Sequence, residues 1–173
     1  MKKILAVLFA VMFLITALTG CDSAAKSWNQ DVVLSVMDMN VATITLNRVA
    51  KKAVENWENY ITSSYSIYSS PTEAVNAALD YYSSDLNAIK QNVNTRIKNR
   101  MDKCGELPSV SSGKKKELAA EYALASQVYA AYLKYYAAVT IPSGSYITFT
   151  ADIEAKKESF DSLYDEFMAK YDD

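Results

Sequence analysis

The sequence predicts an all-α protein, an elongated up-down bundle of about four helices in which the hairpin of the first two helices protrudes. Three observations predict it. Apolar residues recur at steps of three and four over four separate stretches, the period of a helix with one buried face. The 173 residues hold only three prolines and four glycines, and beyond residue 20 all of these fall at the breaks between stretches. The breaks are short, which makes consecutive helices antiparallel neighbours.

Residues 1–20 stand apart from that pattern. Lys2 and Lys3 precede an apolar run from Ile4 to Leu18, broken only by Thr16, which ends in Leu18-Thr19-Gly20-Cys21. A positive start, a short apolar run and a small-residue exit describe a secretory signal. Such a run makes about 22 Å of helix against a hydrocarbon core of roughly 30 Å, so a permanent span is the weaker reading. The exit resembles the lipobox of bacterial lipoproteins, a resemblance confined to residues 1–21. It implies cleavage after Gly20, a diacylglycerol on the Cys21 thiol and an acyl chain on the new amine, and so a protein held on the extracytoplasmic face of a cell membrane. Asp22 resembles the residue that retains enteric-type lipoproteins in the inner membrane. On this reading residues 21–27 are a lipidated tether and residues 28–173 the helical domain.

The first helix is expected from about Asn29 to Ser69, with the stripe Met39, Ala42, Leu46, Ala50, Ala53, Trp57, Tyr60, Ile61 and Tyr68. Val41, Thr43, Ile44 and Thr45 are poor helix formers, and they mark a place for a kink. The second helix opens at Ser70-Pro71-Thr72-Glu73, a serine cap with proline at the first helical position and glutamate at the third. Its stripe runs Val75, Leu79, Tyr82, Leu86, Ile89, Val93, Ile97, Met101, Cys104, and Gly105 follows where a left-handed cap is wanted. The third helix, Ser112 to Thr140, carries Leu118, Tyr122, Ala125, Tyr129, Tyr132, Tyr136 and Val139. After Ile141-Pro142-Ser143-Gly144-Ser145, the fourth runs to about Tyr171 with Phe149, Ile153, Phe160, Leu163, Phe167 and Tyr171 inward.

Composition excludes several kinds of chemistry. Without residues 1–20 the chain keeps 20 acidic residues against 16 basic ones, so its side chains sum to minus 4, unlike the strongly basic balance of a nucleic-acid binder. There is no histidine, and with Cys21 lipidated only Cys104 remains as a thiol, so zinc and iron-sulfur sites lack ligands. Cys104 continues an apolar seam and reads as a buried structural thiol, although Arg100 or Lys103 could activate it. Glu117 with Glu121, Glu154 with Glu158 and Asp161 with Asp165 are four apart on single helix faces, a spacing that usually means a solvated face. No glycine-rich phosphate loop is present. No catalytic residue, metal ligand or cofactor is assigned, beyond the lipid on Cys21.

Lengths give the bundle an orientation. At 1.5 Å per residue the four helices come to roughly 60, 51, 42 and 37 Å, so the first two outreach the others. With the chain starting at the lipid, the turn at Ser70 and Pro71 lies farthest out, and an unshared tip would carry Ile67 and the tyrosines Tyr60, Tyr65, Tyr68, Tyr81 and Tyr82, with Tyr60 facing Tyr81. Tyrosine is favoured at interfaces, so these five are the candidate contacts for an envelope protein partner, or for a second copy in a homodimer. The competing reading has them packed on one another. The second turn returns toward the bilayer with Arg96, Lys98, Arg100, Lys103, Lys114, Lys115 and Lys116. Their negative partner is either anionic headgroups or the end of helix four, where Asp161, Asp165, Glu166, Asp172 and Asp173 should arrive.

Thirteen tyrosines raise a further reading. Tyr122, Tyr129, Tyr132 and Tyr136, mixed with alanine, either leave a cavity suited to a glycan strand or small amphipathic ligand, or make a tight core whose hydroxyls find protein partners. The favoured expectation is a membrane-anchored, non-catalytic interaction module, and the alternative is a binding lipoprotein with a tyrosine-lined site.

Overall fold

The computed structural model describes residues 23–171, all of them helix or the connections between helices. The proposed signal, the Gly20 cleavage point, the Cys21 lipidation site, Asp22, Asp172 and Asp173 lie outside the described residues. α1 spans Ser23–Thr62, α2 Pro71–Tyr81, α3 Ser83–Ala88, then a π-helical turn Ile89–Val93, α4 Asn94–Cys104, α5 Ser112–Thr140 and α6 Tyr146–Met168, with a 3-10 turn Ala169–Tyr171 at the end. None of these helices is long and apolar enough to cross a membrane.

α1 is the central rod and packs against α2, α4, α5 and α6. It is continuous through Asn40–Asn47, where the sequence left room for a kink, and the β-branched residues there are divided between two faces. Thr43 is buried on the inner side while Val41 and Ile44 stand exposed. The helix also begins at Ser23 rather than Asn29. Ala25 and Trp28 are core residues, so most of the segment expected as a tether belongs to the first turns of α1.

At its other end α1 stops at Thr62, before the expected Ser69. Residues 63–70 contain five serines, whose hydroxyls compete for nearby amides. Ser63 accepts from the Tyr65 amide at 3.3 Å and Ser66 from the Tyr68 amide at 3.1 Å. The loop shifts the pairing of the hairpin. Asn56 Nδ2 donates to the Ala74 carbonyl at 3.0 Å, and Trp28 Nε1 donates to the Cys104 carbonyl at 2.9 Å. Tyr60 therefore lies opposite the start of α2, and not opposite Tyr81.

The second rod is segmented where one helix was expected. Its start follows the cap that the sequence announces: Ser70 Oγ accepts from the Glu73 amide at 3.1 Å. Glu73 reaches back to the Ser69 amide at 2.7 Å rather than to that of Ser70. Backbone angles leave the α region at Tyr82, with φ −99° and ψ 16°, just before Ser83, Ser84 and Asp85, which favour caps and turns. The π turn has a different cause. In an α-helix each four-residue step rotates by about 40°, so the successive steps Ile89, Val93, Ile97, Met101 would drift off the seam. One wider turn brings them back, and Ile89, Ile97, Met101 and Cys104 are all buried.

The end of α4 is closed by aromatic side chains instead of a left-handed glycine. Gly105 has φ −60°. Trp28 bonds the Cys104 carbonyl, and Tyr122 Oη donates to the Met101 carbonyl at 3.0 Å. The glycine gives Tyr122 room, since a Cβ there would lie 3.2 Å from its hydroxyl and from the Asp102 carbonyl. Among the described residues only Gly144 adopts a positive φ, at 86°, in the connection before Ser145 caps α6.

α5 faces the core with Leu118, Leu124, Ala125, Val128, Ala131, Tyr132, Tyr135 and Val139. Tyr135 is fully buried although the stripe had passed it over, while Tyr122, Tyr129 and Tyr136 sit half-buried at the edges. α6 returns alongside α5 through Phe149, Ile153, Phe160 and Phe167, and the Tyr171 hydroxyl reaches Glu121.

Candidate functional site

The site begins with the failure of two helix ends to cover themselves. Trp57, on the last buried turn of α1, packs on Phe149 with ring centroids 5.4 Å apart and on Tyr146 at 6.0 Å. The α5–α6 connection therefore reaches the level of Trp57 and Ile61, and the hairpin tip is less isolated than its expected length implied. Between the end of α1, the start of α2 and that connection runs a groove of about 730 Å³. Its floor and walls include Trp57, Ile61, Val75, Leu79, Ile141 and Tyr146, with hydroxyls from Thr72, Thr140 and Ser143 along it. No lining residue carries a charge. Of its lining residues Ile141 is 73% exposed, and large apolar residues also face solvent at Tyr65 and Ile67 on the loop after α1 and at Ile147 on the first turn of α6. Such a surface suits binding by apolar contact and a few hydrogen bonds.

The five tyrosines expected at this end are not gathered into one patch. Tyr65 is free-standing on the loop and Tyr81 is exposed further down the hairpin. Tyr60, Tyr68 and Tyr82 are half-buried, and Tyr82 meets Tyr81 edge-on at 4.9 Å. None of the five lines the groove. Sequence reasoning missed Ile141, Pro142 and Tyr146, because Pro142-Ser143-Gly144 was read only as a break. The available signal was the pair of isoleucines, Ile141 and Ile147, standing outside any helical stripe.

The seven basic residues separate into groups. Asp38 of α1 accepts from Arg96 Nε at 2.7 Å and Nη2 at 2.9 Å, and from Arg100 Nη1 at 2.7 Å. Asp31 holds Lys103 at 2.6 Å, which raises the lysine pKa through that bond and the carboxylate charge. Lys98 pairs with Asp102, and Lys114 with Glu117 at 2.9 Å. Among the described residues, then, the negative partner of the α4 basic residues comes chiefly from α1, seven residues apart on one face. It does not come from the end of α6, where Asp161 pairs with Lys157. Lys115 and Lys116 are exposed and make no ion pair among the described residues.

The tyrosine core has protein partners. Tyr132 Oη donates to Asn94 Oδ1 and Tyr135 Oη to Asn47 Oδ1, each at 2.5 Å. Burial raises the pKa of both phenols. Tyr135 touches the floor of a shallow groove of about 450 Å³ whose walls carry Lys51, Glu55, Glu154 and Lys157. These bonds favour the tight-core arrangement over a tyrosine-lined cavity.

The remaining chemical candidates are dispersed. Cys104 is buried against the Trp28 carbonyl, and burial pushes its thiol up to about 11 in spite of Lys103 and Arg100. Glu121 is half-buried, and its carboxyl is raised by loss of solvent, partly offset by the Tyr171 hydroxyl. No group of three or more Cys, Asp or Glu residues placed to hold a metal occurs among the described residues. Compared with known proteins, the chain matches no family model, no curated protein and no solved structure.

Proposed function

We propose that this protein is a membrane-anchored, non-catalytic interaction module of the cell envelope, whose groove at the end of α1 docks an apolar, uncharged segment of a partner protein. One observation carries the reading. The end of α1, the start of α2 and the α5–α6 connection bring Trp57, Ile61, Val75, Leu79, Ile141 and Tyr146 into a single uncharged groove in which Ile61 and Ile141 stand exposed, whereas scattered single apolar residues are the ordinary condition of a surface. The lipobox at Leu18–Cys21 supports the anchor. α1 starts two residues after Cys21 and runs without interruption to the groove, a rise of about 50 Å from Ser23 to Trp57. The rod acts as a spacer between the membrane and the docking end.

Photoreactive residues at Tyr65, Ile141 and Ile147, in the lipidated protein within its own membrane, test this. The expected result is one protein adduct common to the three positions, lost in Ile141→Asp and Ile147→Asp variants whose melting temperatures are unchanged. Adducts only within the same chain, or none, would overturn it.

A further inference from the structure

We propose that the face of α4 turned toward α1 binds a phosphate-bearing anion. The face is a different one from the docking groove. An open groove of about 660 Å³ lies there, lined on the α4 side by Arg96, Asn99, Arg100 and Lys103 and continued by Asn92 from the π turn, with Asp31 on the α1 wall. Residues 92, 96, 99 and 103 recur at steps of three and four, so they share one side of the rod. The wider π turn, a form found frequently at functional sites, holds Asn92 on that side.

The charges do not balance. Arg96, Arg100 and Lys103 face two carboxylates, Asp38 and Asp31, which leaves one positive charge in excess. Asp38 fixes both guanidiniums while using only two N–H groups of Arg96 and one of Arg100. Each guanidinium has five donors, so several remain, already oriented. The side-chain amides of Asn92 and Asn99 take no hydrogen bond among the described residues. A groove rich in fixed donors, with excess positive charge and no aromatic platform for a sugar ring, is matched to an oxyanion that only accepts, and guanidinium suits phosphate in geometry. The phosphate could belong to a lipid headgroup, to a phosphodiester polymer of the envelope or to a small molecule. All present the same oxygens.

Asp31 supplies the decisive test, because it competes with the anion for Lys103. The full chain, held in an uncharged maltoside detergent, is titrated with inorganic phosphate and with a glycerol-phosphate oligomer while the Asn92 and Asn99 side-chain amide signals are followed by NMR. Saturable shifts are expected. Lys103→Gln should weaken binding and Asp31→Asn should tighten it, each by about fivefold, the weight of one charge near such a surface. Lys103 is largely exposed and Asp31→Asn keeps the shape of its half-covered side chain, so thermal unfolding should barely move. A network that is only structural predicts no saturable shift with phosphate, the oligomer or phosphatidylglycerol, or equal effects from the two variants, and either result overturns the proposal. Phosphatidylglycerol added to the micelles identifies a headgroup source if it alone produces the shifts, and a soluble or polymeric source if only the free anions do.

Discussion

Trp28 Nε1 donates to the carbonyl of Cys104 across 76 residues of sequence, at 2.9 Å and out of contact with water. The bond ties the first turns of α1 to the last residue of α4, and the Cys104 thiol returns the contact toward the Trp28 carbonyl. Replacing Trp28 with Phe keeps most of the ring and leaves a buried carbonyl without its donor. A loss of about 1–3 kcal/mol is expected in urea unfolding at unchanged m, against about 3–5 kcal/mol for Trp28→Ala. An unchanged stability in Trp28→Phe would show that the bond contributes nothing.

Cys104 should resist alkylation. With its thiol pushed up to about 11, about a thousandth is thiolate at pH 8, and the unfolded chain, near 8.5, reacts far faster. Iodoacetamide labelling is expected to require prior unfolding. Prompt labelling of the native chain would contradict this burial.

Stability should also fall in alkali. The raised thiol of Cys104 and the raised phenols of Tyr132 and Tyr135 keep their protons in the folded state after the unfolded chain has lost its own. Their contribution is complete below about pH 8.5 and declines from there upward as first the thiol and then the phenols ionise in the unfolded chain. Melting temperature measured from pH 8 to 11 should drop, and Cys104→Ala should remove the earlier part of the drop. A flat profile would refute the assignment.

Glu121 works in the opposite direction from a salt-bridged carboxylate. Its pKa is raised by burial, so the stability associated with its protonated form is present below the unfolded value and lost as pH rises through the folded one. Glu121→Gln keeps an acceptor for Tyr171 and removes the buried charge. It should raise the melting temperature at pH 7 and leave it nearly unchanged at pH 4. Destabilisation at pH 7 would mean that the charged carboxylate is needed.

Much of this architecture was legible. The seam from Val75 to Cys104 and the α6 stripe from Phe149 to Phe167 are buried or half-buried as their spacing requires, because apolar periodicity reports directly on the buried face. Ser70, Pro71 and Glu73 announced a helix start through local hydrogen bonding alone. What sequence could not supply depended on distant partners. Asp31 and Asp38 look like ordinary surface carboxylates until α4 brings Arg96, Arg100 and Lys103 to them. Gly105 resembled a backbone device until Tyr122 was placed against it. Tyr135 was passed over because Tyr136 fits the same stripe equally well, and only the positions of α1 and α6 decide between neighbours. The groove at the end of α1 was hidden most completely, since Trp57, Ile61, Val75 and Leu79 lie on legible stripes but the wall that closes it comes from the α5–α6 connection, which has no period.

Tyr132 and Asn94 should be energetically coupled. A double-mutant cycle with Tyr132→Phe and Asn94→Ala is expected to return about 1 kcal/mol of interaction energy, with a similar value for Tyr135→Phe and Asn47→Ala. Additive losses would place the hydroxyls elsewhere.

Those two bonds leave α5 in different directions from positions three residues apart, one to α4 and one to α1. The seams they join are otherwise rich in alanine and valine, smooth surfaces over which one helix can slide by a turn and still find apolar company. A slip of about 5.4 Å would strand both hydroxyls in the interior, each at a cost of about 1–3 kcal/mol. The tyrosines thus act as index pins, and a bundle that could otherwise idle among several near-equivalent alignments has one resting position.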